Sequence, residues 1–193
     1  MVSAIVKSLL SSEIFDPSEI ACCSAKDGTS EKLSEETGVL RFDQIEGMLE
    51  SKPDILVLGC KPQQLAQLPE SVGQSSENAL VLSIMAGITL ERLLCVFPNA
   101  RNVVRSMPNT PGQVGAGATG FLFAKPAQKR DLELIHQILS SLGFVQEVKE
   151  EGDIDRVTDL SDGATVLATD QGKPLALAEV SAGKIRPFKV LNL

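Results

Sequence analysis

Tryptophan and tyrosine are absent from the 193-residue chain, and its aromatic content, 4%, is all phenylalanine. The usual stacking platforms for single-stranded nucleic acid are therefore reduced to Phe alone. An excess of positive charge is lacking too. The 18 Lys and Arg stand against 25 Asp and Glu, for a net charge of −7, and the basic residues are scattered. That excludes a polyanion-binding surface, and no nucleic-acid partner is expected. Long hydrophobic runs are also missing. The longest, DILVLGC and ALVLSIMAGITL, have strand length or are broken by Gly and Ser. Both fall short of the roughly 20 residues that span a bilayer, so no membrane association is expected. The opening MVSAIVKSLLSSEIF carries Lys7 inside its apolar stretch and shows no cleavage pattern, so it is not read as a signal peptide.

Cysteine is sparse: Cys22, Cys23, Cys60 and Cys95, with no C-x-x-C spacing. Adjacent Cys22 and Cys23 would point to opposite faces of a strand. Reduced thiols in a cytoplasmic compartment are expected, not a disulfide framework or a zinc site. The one histidine, His136, falls between the apolar positions of a helix and reads as a solvated residue. With no Ser-His-Asp set and no G-x-S-x-G elbow, hydrolase chemistry is excluded. DIDRVTDLSDG fails as a calcium loop. Counting from Asp153, the fifth and sixth positions are Val157 and Thr158, where an EF-hand needs an oxygen ligand and a glycine. Cys60 has no His placed to activate it, so a small apolar contact is expected of it. No metal is expected, and no catalytic residue is assigned.

What is present is a regular alternation. Composition is ordinary for a globular protein, 43% hydrophobic and 22% charged, and the length suits one well-buried domain with at most a small appendage. Val2, Ile5, Val6, Leu9 and Leu10 have helical spacing. EIACCS (19–24) reads as a short strand. TSEKLSEETG (29–38) reads as a helix begun by capping Thr29 and stopped at Gly38. VLRF is a candidate strand, and DQIEGMLESK a helix capped by Asp43. DILVLGC (54–60) and ALVLSIM (79–85) read as strands buried on both faces of a parallel sheet. Between them KPQQLAQLPE is a short helix with Pro62 in its first turn. TLERLLCVF (89–97) is a helix, RNVVRS (101–106) a strand, ATGFLFA (118–124) a strand, AQKRDLELIHQILSSLG (127–143) a helix and FVQEV a final strand. The fold class is α/β, a Rossmann-like, doubly wound, mainly parallel sheet with helices on both faces.

In such sheets ligands bind beyond the carboxyl ends of the strands. Three loops leave strands at that edge: SAKDG, GCKPQ and SMPNTPG. After GC, a helix start would turn free N–H groups and a positive dipole end to a ligand, with Lys61 adding charge. Ser24 and Lys26 in SAKDG suit a ribose 2′-phosphate, although Asp27 works against it. In MPNTPG, Pro108 and Pro111 fix φ and extend the residues before them, so Asn109 and Thr110 sit in a stiff bracket. A rigid polar loop at the ligand edge is what hydride transfer needs, because donor and acceptor must be held at near contact. The plain alternative is a turn that only redirects the chain.

Read in order, DILVLGCKPQQL, LSIMAGITLERL, VVRSMPNTPGQVGAGATG and LGFVQEVKEEGDIDRVTDLS resemble pyrroline-5-carboxylate reductases, over about residues 1 to 161. The family's LAVKPQ stretch is matched with Gly59 and Cys60 in place of Ala and Val. The resemblance implies a Rossmann-type domain that binds NADPH, with NADH the alternative, and passes hydride to a cyclic imine carboxylate to give proline. It implies that Gly59, Cys60, Lys61 and Pro62 line the cofactor, with Ala86 and Gly87 nearby, and that Ser24 and Lys26 meet the ribose phosphate. It also implies that Met107, Pro108 and Asn109 border the nicotinamide, with Thr110 and Val114 beside the substrate.

Two departures accompany the resemblance. The family's first strand and G-x-G-x-x-G-like loop, central in the order 3-2-1-4-5-6, would precede Met1. The helical domain through which the family forms homo-oligomers would follow VTDLS, where DGATVLATDQGKPLALAEVSAGKIRPFKVLNL shows no match. The organisation expected is residues 1–150 as an NAD(P)-binding domain with its first strand missing, then 151–193 as a linker remnant and an unmatched tail. A truncated reductase is the expectation, and a non-catalytic nucleotide-binding fragment or pseudoenzyme the alternative.

Overall fold

Apolar residues at three- and four-residue spacing build the first element: α1 (Val2–Ser11) buries Ile5, Val6 and Leu9. A 3-10 turn at Pro17–Glu19 leads into β1 (Ala21–Cys22), which pairs in parallel with β2 (Leu40–Arg41) across α2 (Thr29–Thr37). The chain continues through α3 (Ile45–Leu49), β3 (Ile55–Leu58), α4 (Pro62–Leu65), α5 (Glu70–Ser75), β4 (Leu80–Ser83) and α6 (Leu90–Val96). It then forms β5 (Asn102–Pro108), a 3-10 turn at Thr110–Val114, β6 (Gly117–Phe123), α7 (Lys129–Ser140), β7 (Gly143–Glu147) and α8 (Ile154–Thr158). The computed structural model describes residues 1–25 and 27–158 and three further strands. These are β8 (Thr165–Asp170), β9 (Lys173–Ser181) and β10 (Lys184–Val190), an antiparallel sheet in the order β10-β9-β8.

The main sheet has five strands in the order β3-β4-β5-β6-β7. Alternate residues of each strand feed two separate cores, which is why helices cover both faces. Leu80, Leu82, Val104 and Phe121 pack with Ile5 and Leu9 of α1 and with Ile135, Ile138 and Leu139 of α7. Leu56, Leu58, Val81 and Val103 pack with Leu49 of α3, Val72 of α5 and Leu93 of α6. The fold is thus the Rossmann-like α/β architecture that the alternation implies, with a mostly parallel sheet.

The one antiparallel pair of this sheet, β5 with β6, is consistent with a mainly parallel expectation. Only residues 109–116 join these two strands, and a parallel crossover needs a dozen or more. Several other local expectations are corrected. β3 is not buried on both faces: Leu56 and Leu58 are buried, Ile55 and Val57 only partly. It is an edge strand, bonded to β4 alone among the described residues. Thr29 does not cap α2. It is the first helical residue, and its N–H and hydroxyl donate to Asp27 Oδ1 at 3.0 and 2.7 Å. Nor does Asp43 cap α3, because its carboxylate is held by Arg41, Nη2 to Oδ1 2.7 Å. The stretch expected as one short helix after Lys61 is a single turn, α4, followed by the separate α5.

One polar staple holds the amino ends of the strands. Arg101 grips Asp131 of α7, Nη2 to Oδ1 2.9 Å and Nε to Oδ2 3.2 Å, and donates to the carbonyls of Asp54 and Asn78. Asp131 is buried, so the pair is desolvated and strongly directional. The opposite ends of β3, β4 and β5 carry the loops of interest.

Candidate functional site

Three loops leave the carboxyl ends of adjacent parallel strands, 59–62 after β3, 84–87 after β4 and 109 onward after β5. Specific contacts stitch them together. Cys60 Sγ lies 3.5 Å from Met85 Sδ, joining the first loop to the second. Ser106 of β5 donates its hydroxyl to the carbonyl of Ser83 at 2.9 Å, joining the second strand end to the third. The lysine-bearing crossover and the proline-bracketed corner therefore share one rim of the sheet.

Gly59 is where α1 approaches most closely. A Cβ on it would meet Val2 Cγ2 at 2.0 Å, so the first turn of α1 packs directly on the end of β3. The Lys61 N–H donates to Gln64 Oε1 at 2.8 Å, and Pro62 takes the first helical position. The expected dipole is weak here, because α4 has only four residues and a single turn sums few peptide dipoles. The charge of exposed Lys61 is what remains at this corner. Burial pushes the Cys60 thiol above its ordinary range. At neutral pH it stays protonated, which suits a packing contact and not a nucleophile. Gly87 turns at φ +73° with open space around it, as a backbone approached by a ligand requires.

The MPNTPG corner is rigid for a reason beyond its prolines. Asn109 Oδ1 accepts from the Ala118 N–H at 2.9 Å, closing the loop on the strand that follows. Gly117 permits this, since a Cβ there would lie 2.5 Å from Gly112 N and 2.7 Å from Asn109 Oδ1. The 3-10 turn at Thr110–Val114 lies beside α1. There Lys7, Ser8, Gly112, Gln113 and Val114 border a groove of about 290 Å³. Val114 is 74% exposed.

Ser24 belongs to a different part of the molecule, a cavity of about 470 Å³ between the start of α2 and the end of β2. Its hydroxyl bonds to Asp27 Oδ1 at 3.0 Å and to Ser30 Oγ at 2.9 Å. Asp27 thereby has a structural task, and the hydrogen bonds donated by Thr29, with Ser24 adding to them, hold its carboxyl below the usual range. Lys26 lies outside the described residues. Arg41, Phe42 and Asp43 form the facing wall of the cavity, which sequence reasoning missed. Nothing local to VLRFD announces that β2 runs beside β1.

Arg105 was missed as well, although a charge inside the apolar run NVVRS is a visible signal. It is buried, with Nη1 3.1 Å from Glu151 Oε1, and the same Glu151 oxygen accepts from the Leu90 N–H at 2.7 Å. This clamps the segment at 151–158 onto the sheet. Ile154 is fully buried there, and a Cβ on Gly120 would meet its carbonyl at 2.7 Å. His136 is exposed as expected, its ring edge-on to Phe121 at 5.3 Å. Among the described residues no three His, Cys, Asp or Glu side chains group as metal ligands, and no helix is long and apolar enough to cross a membrane. All four cysteines are free thiols.

Comparison with known proteins decides the relationship. A family model described as NADP oxidoreductase, coenzyme F420-dependent, matches residues 1–87. Pyrroline-5-carboxylate reductase from Synechocystis sp. is 31% identical over 183 residues, covering 95% of this chain and 67% of that protein. The chain belongs to the pyrroline-5-carboxylate reductase family. Pyrroline-5-carboxylate reductase 2 of Rattus norvegicus is 37% identical over 141 residues, 71% of this chain and 44% of the relative. The solved pyrroline-5-carboxylate reductase from Coxiella burnetii superposes with a TM-score of 0.75 at 29% identity, covering 83% of this chain and 59% of that one. The Plasmodium falciparum enzyme, solved with NADP bound, shares the fold at 23% identity and a TM-score of 0.67. The chain thus spans between 44% and 67% of the length of these family relatives.

Proposed function

We propose that this chain acts as a pyrroline-5-carboxylate reductase in L-proline synthesis, using NADPH, with NADH the alternative donor. The nicotinamide would deliver hydride to the imine carbon of 1-pyrroline-5-carboxylate, the C=N electrons moving to nitrogen, which takes a proton. In this reading Gly59, Cys60, Lys61, Pro62, Ala86 and Gly87 line the cofactor, and Met107, Pro108 and Asn109 hold the nicotinamide side. Ser24 and Lys26 meet the ribose phosphate, and Thr110 and Val114 lie toward the substrate. Residues 1–150 are the cofactor-binding part, and the family's homo-oligomers would need chain beyond it. The reading includes a cytoplasmic setting, in which the four free thiols stay reduced.

The observation that carries the reading is the shared rim. The Cys60–Met85 contact and the Ser106–Ser83 bond tie the crossover after β3 and the stiff corner after β5 to the end of β4 between them. Such a rim is where doubly wound sheets take dinucleotides. A second reading, nucleotide binding without turnover, is favoured by one feature. The unit holding Ser24 joins the five-stranded sheet through the packing of α1, and among the described residues no strand ladder links the two. The test is NADPH oxidation by the purified chain with the pyrroline substrate, with proline measured as product. Proline formed in step with oxidation supports the reductase. Saturable NADPH binding without proline leaves the second reading.

A further inference from the structure

The cavity beside Ser24 has two walls of different origin. One is the end of β1 and the start of α2, which supply Ser24, Ser30 and Glu31. The other is the end of β2, where Arg41 stands directly opposite Cys22 in the parallel register, two residues before Ser24 in the neighbouring strand. Asp27, the acid expected to oppose a phosphate here, is turned onto Ser24 and Thr29 by three hydrogen bonds to Oδ1. Among the described residues the cation bordering the cavity is Arg41, with its side chain 37% exposed and one guanidinium nitrogen resting on Asp43 at 2.7 Å.

We propose that Arg41 is a specificity-determining residue for a phosphomonoester on the adenosine 2′-hydroxyl, and that Asp43 is the internal acceptor which that phosphate displaces. The inference rests on the reductase reading above and adds to it a residue and a competitor. An exposed ion pair such as Arg41–Asp43 contributes little, so exchanging its partner costs little. A phosphate dianion offers more charge and a better-matched pair of oxygens to a guanidinium than one carboxylate does. A free 2′-hydroxyl offers neither and leaves the Arg41–Asp43 pair in place. Glu31 and Asp43 also border the cavity. Without Arg41 the charged side chains bordering the cavity among the described residues would be Glu31 and Asp43, which disfavour a phosphate, so selectivity should shift toward the unphosphorylated nucleotide.

The test uses the full 193-residue chain and two probes, adenosine 2′,5′-bisphosphate and adenosine 5′-monophosphate, titrated by calorimetry. The natural chain is expected to favour the bisphosphate. Arg41→Leu should weaken the bisphosphate by about tenfold or more, the scale of one charge-assisted pair, and leave the monophosphate nearly unchanged. Arg41→Lys should restore part of the loss, because the charge returns without the planar fork. Asp43→Asn should tighten the bisphosphate several-fold, a gain that misfolding cannot imitate. Equal losses for both probes in Arg41→Leu, no loss, or weaker bisphosphate binding in Asp43→Asn overturns the assignment. A natural chain that binds both probes equally overturns this inference alone. One that binds neither overturns the reductase reading with it.

Discussion

The five-stranded sheet and the β1–β2 pair differ most in what each strand buries. All four residues of β4 and the first five of β5 are buried, and both strands are bonded on two sides. β1 and β2 are two residues long, bonded to each other through Ile20 and Cys22 carbonyls, and Leu40 is 49% exposed. α1 serves both: Ile5 and Leu9 fill the large core, while Val6 joins Leu33 and Val39 in the small one. The large unit is held by burial. The small unit is held by a borrowed helix and by the Ser24–Asp27–Thr29–Ser30 hydrogen bonds. Subunits of a fold with few buried contacts open at lower free energy than the core. In the proposed function this separates a rigid rim for hydride transfer from a softer module that reads the adenosine end.

The sharpest way to break this contrast starts in the large core. Phe121 is fully buried between α7 and the sheet. Phe121→Ala should cost about 3–5 kcal/mol, read as a lower urea midpoint, and amide exchange should quicken through β4, β5 and β6 together. Faster exchange confined to β6 would mean that the sheet is not one cooperative unit. The counterpart is Leu33→Ala in the small core, where Leu33 is 4% exposed. A loss of roughly 2–3 kcal/mol is expected there, with faster exchange at residues 20–41 and unchanged β4 amides. Equal acceleration of β4 would show that the two regions open as one.

The smallest effect is expected from acid. The hydrogen bonds from Thr29 and Ser24 hold the Asp27 carboxyl below its usual range. Its contribution is therefore complete above the unfolded carboxylate value of about 4 and is lost as pH falls through the lower folded value. NMR between neutral and strongly acidic pH should show the Thr29 and Ser30 amides shifting at the low end while β4 amides hold. An Asp27 carboxyl that titrates at or above the ordinary range would contradict the capping geometry.

Much of the fold was legible because its signals are local. The α1 and α7 stripes, the ALVLSIM run and the Gly38 stop each sit within one element. Errors arose where neighbours compete. Asp27 and Thr29 both suit the start of α2, and the bond from Thr29 to Asp27 decides between them. Asp43 suits the start of α3, but Arg41 two residues earlier captures it. The apolar run of β3 implied burial on both faces, which depends on how fully helices cover each face and on the strand's position at the sheet edge, not on the run itself. The candidate site was half legible. The strand-end loops follow from alternation, whereas Arg41 could be found only once β2 was placed beside β1.

By itself the sequence determined the family, the α/β alternation and the stiffness of the Pro-Asn-Thr-Pro corner. Proline's fixed φ and the periods of helix and strand act over a few residues and need no partner. Tertiary structure alone decided that Cys60 meets Met85, that Arg105 clamps Glu151 across the sheet, and that Arg41 faces the cavity of Ser24. Those distances depend on how helices pack two cores at once, and side chains far apart in the chain become neighbours only when that packing is complete.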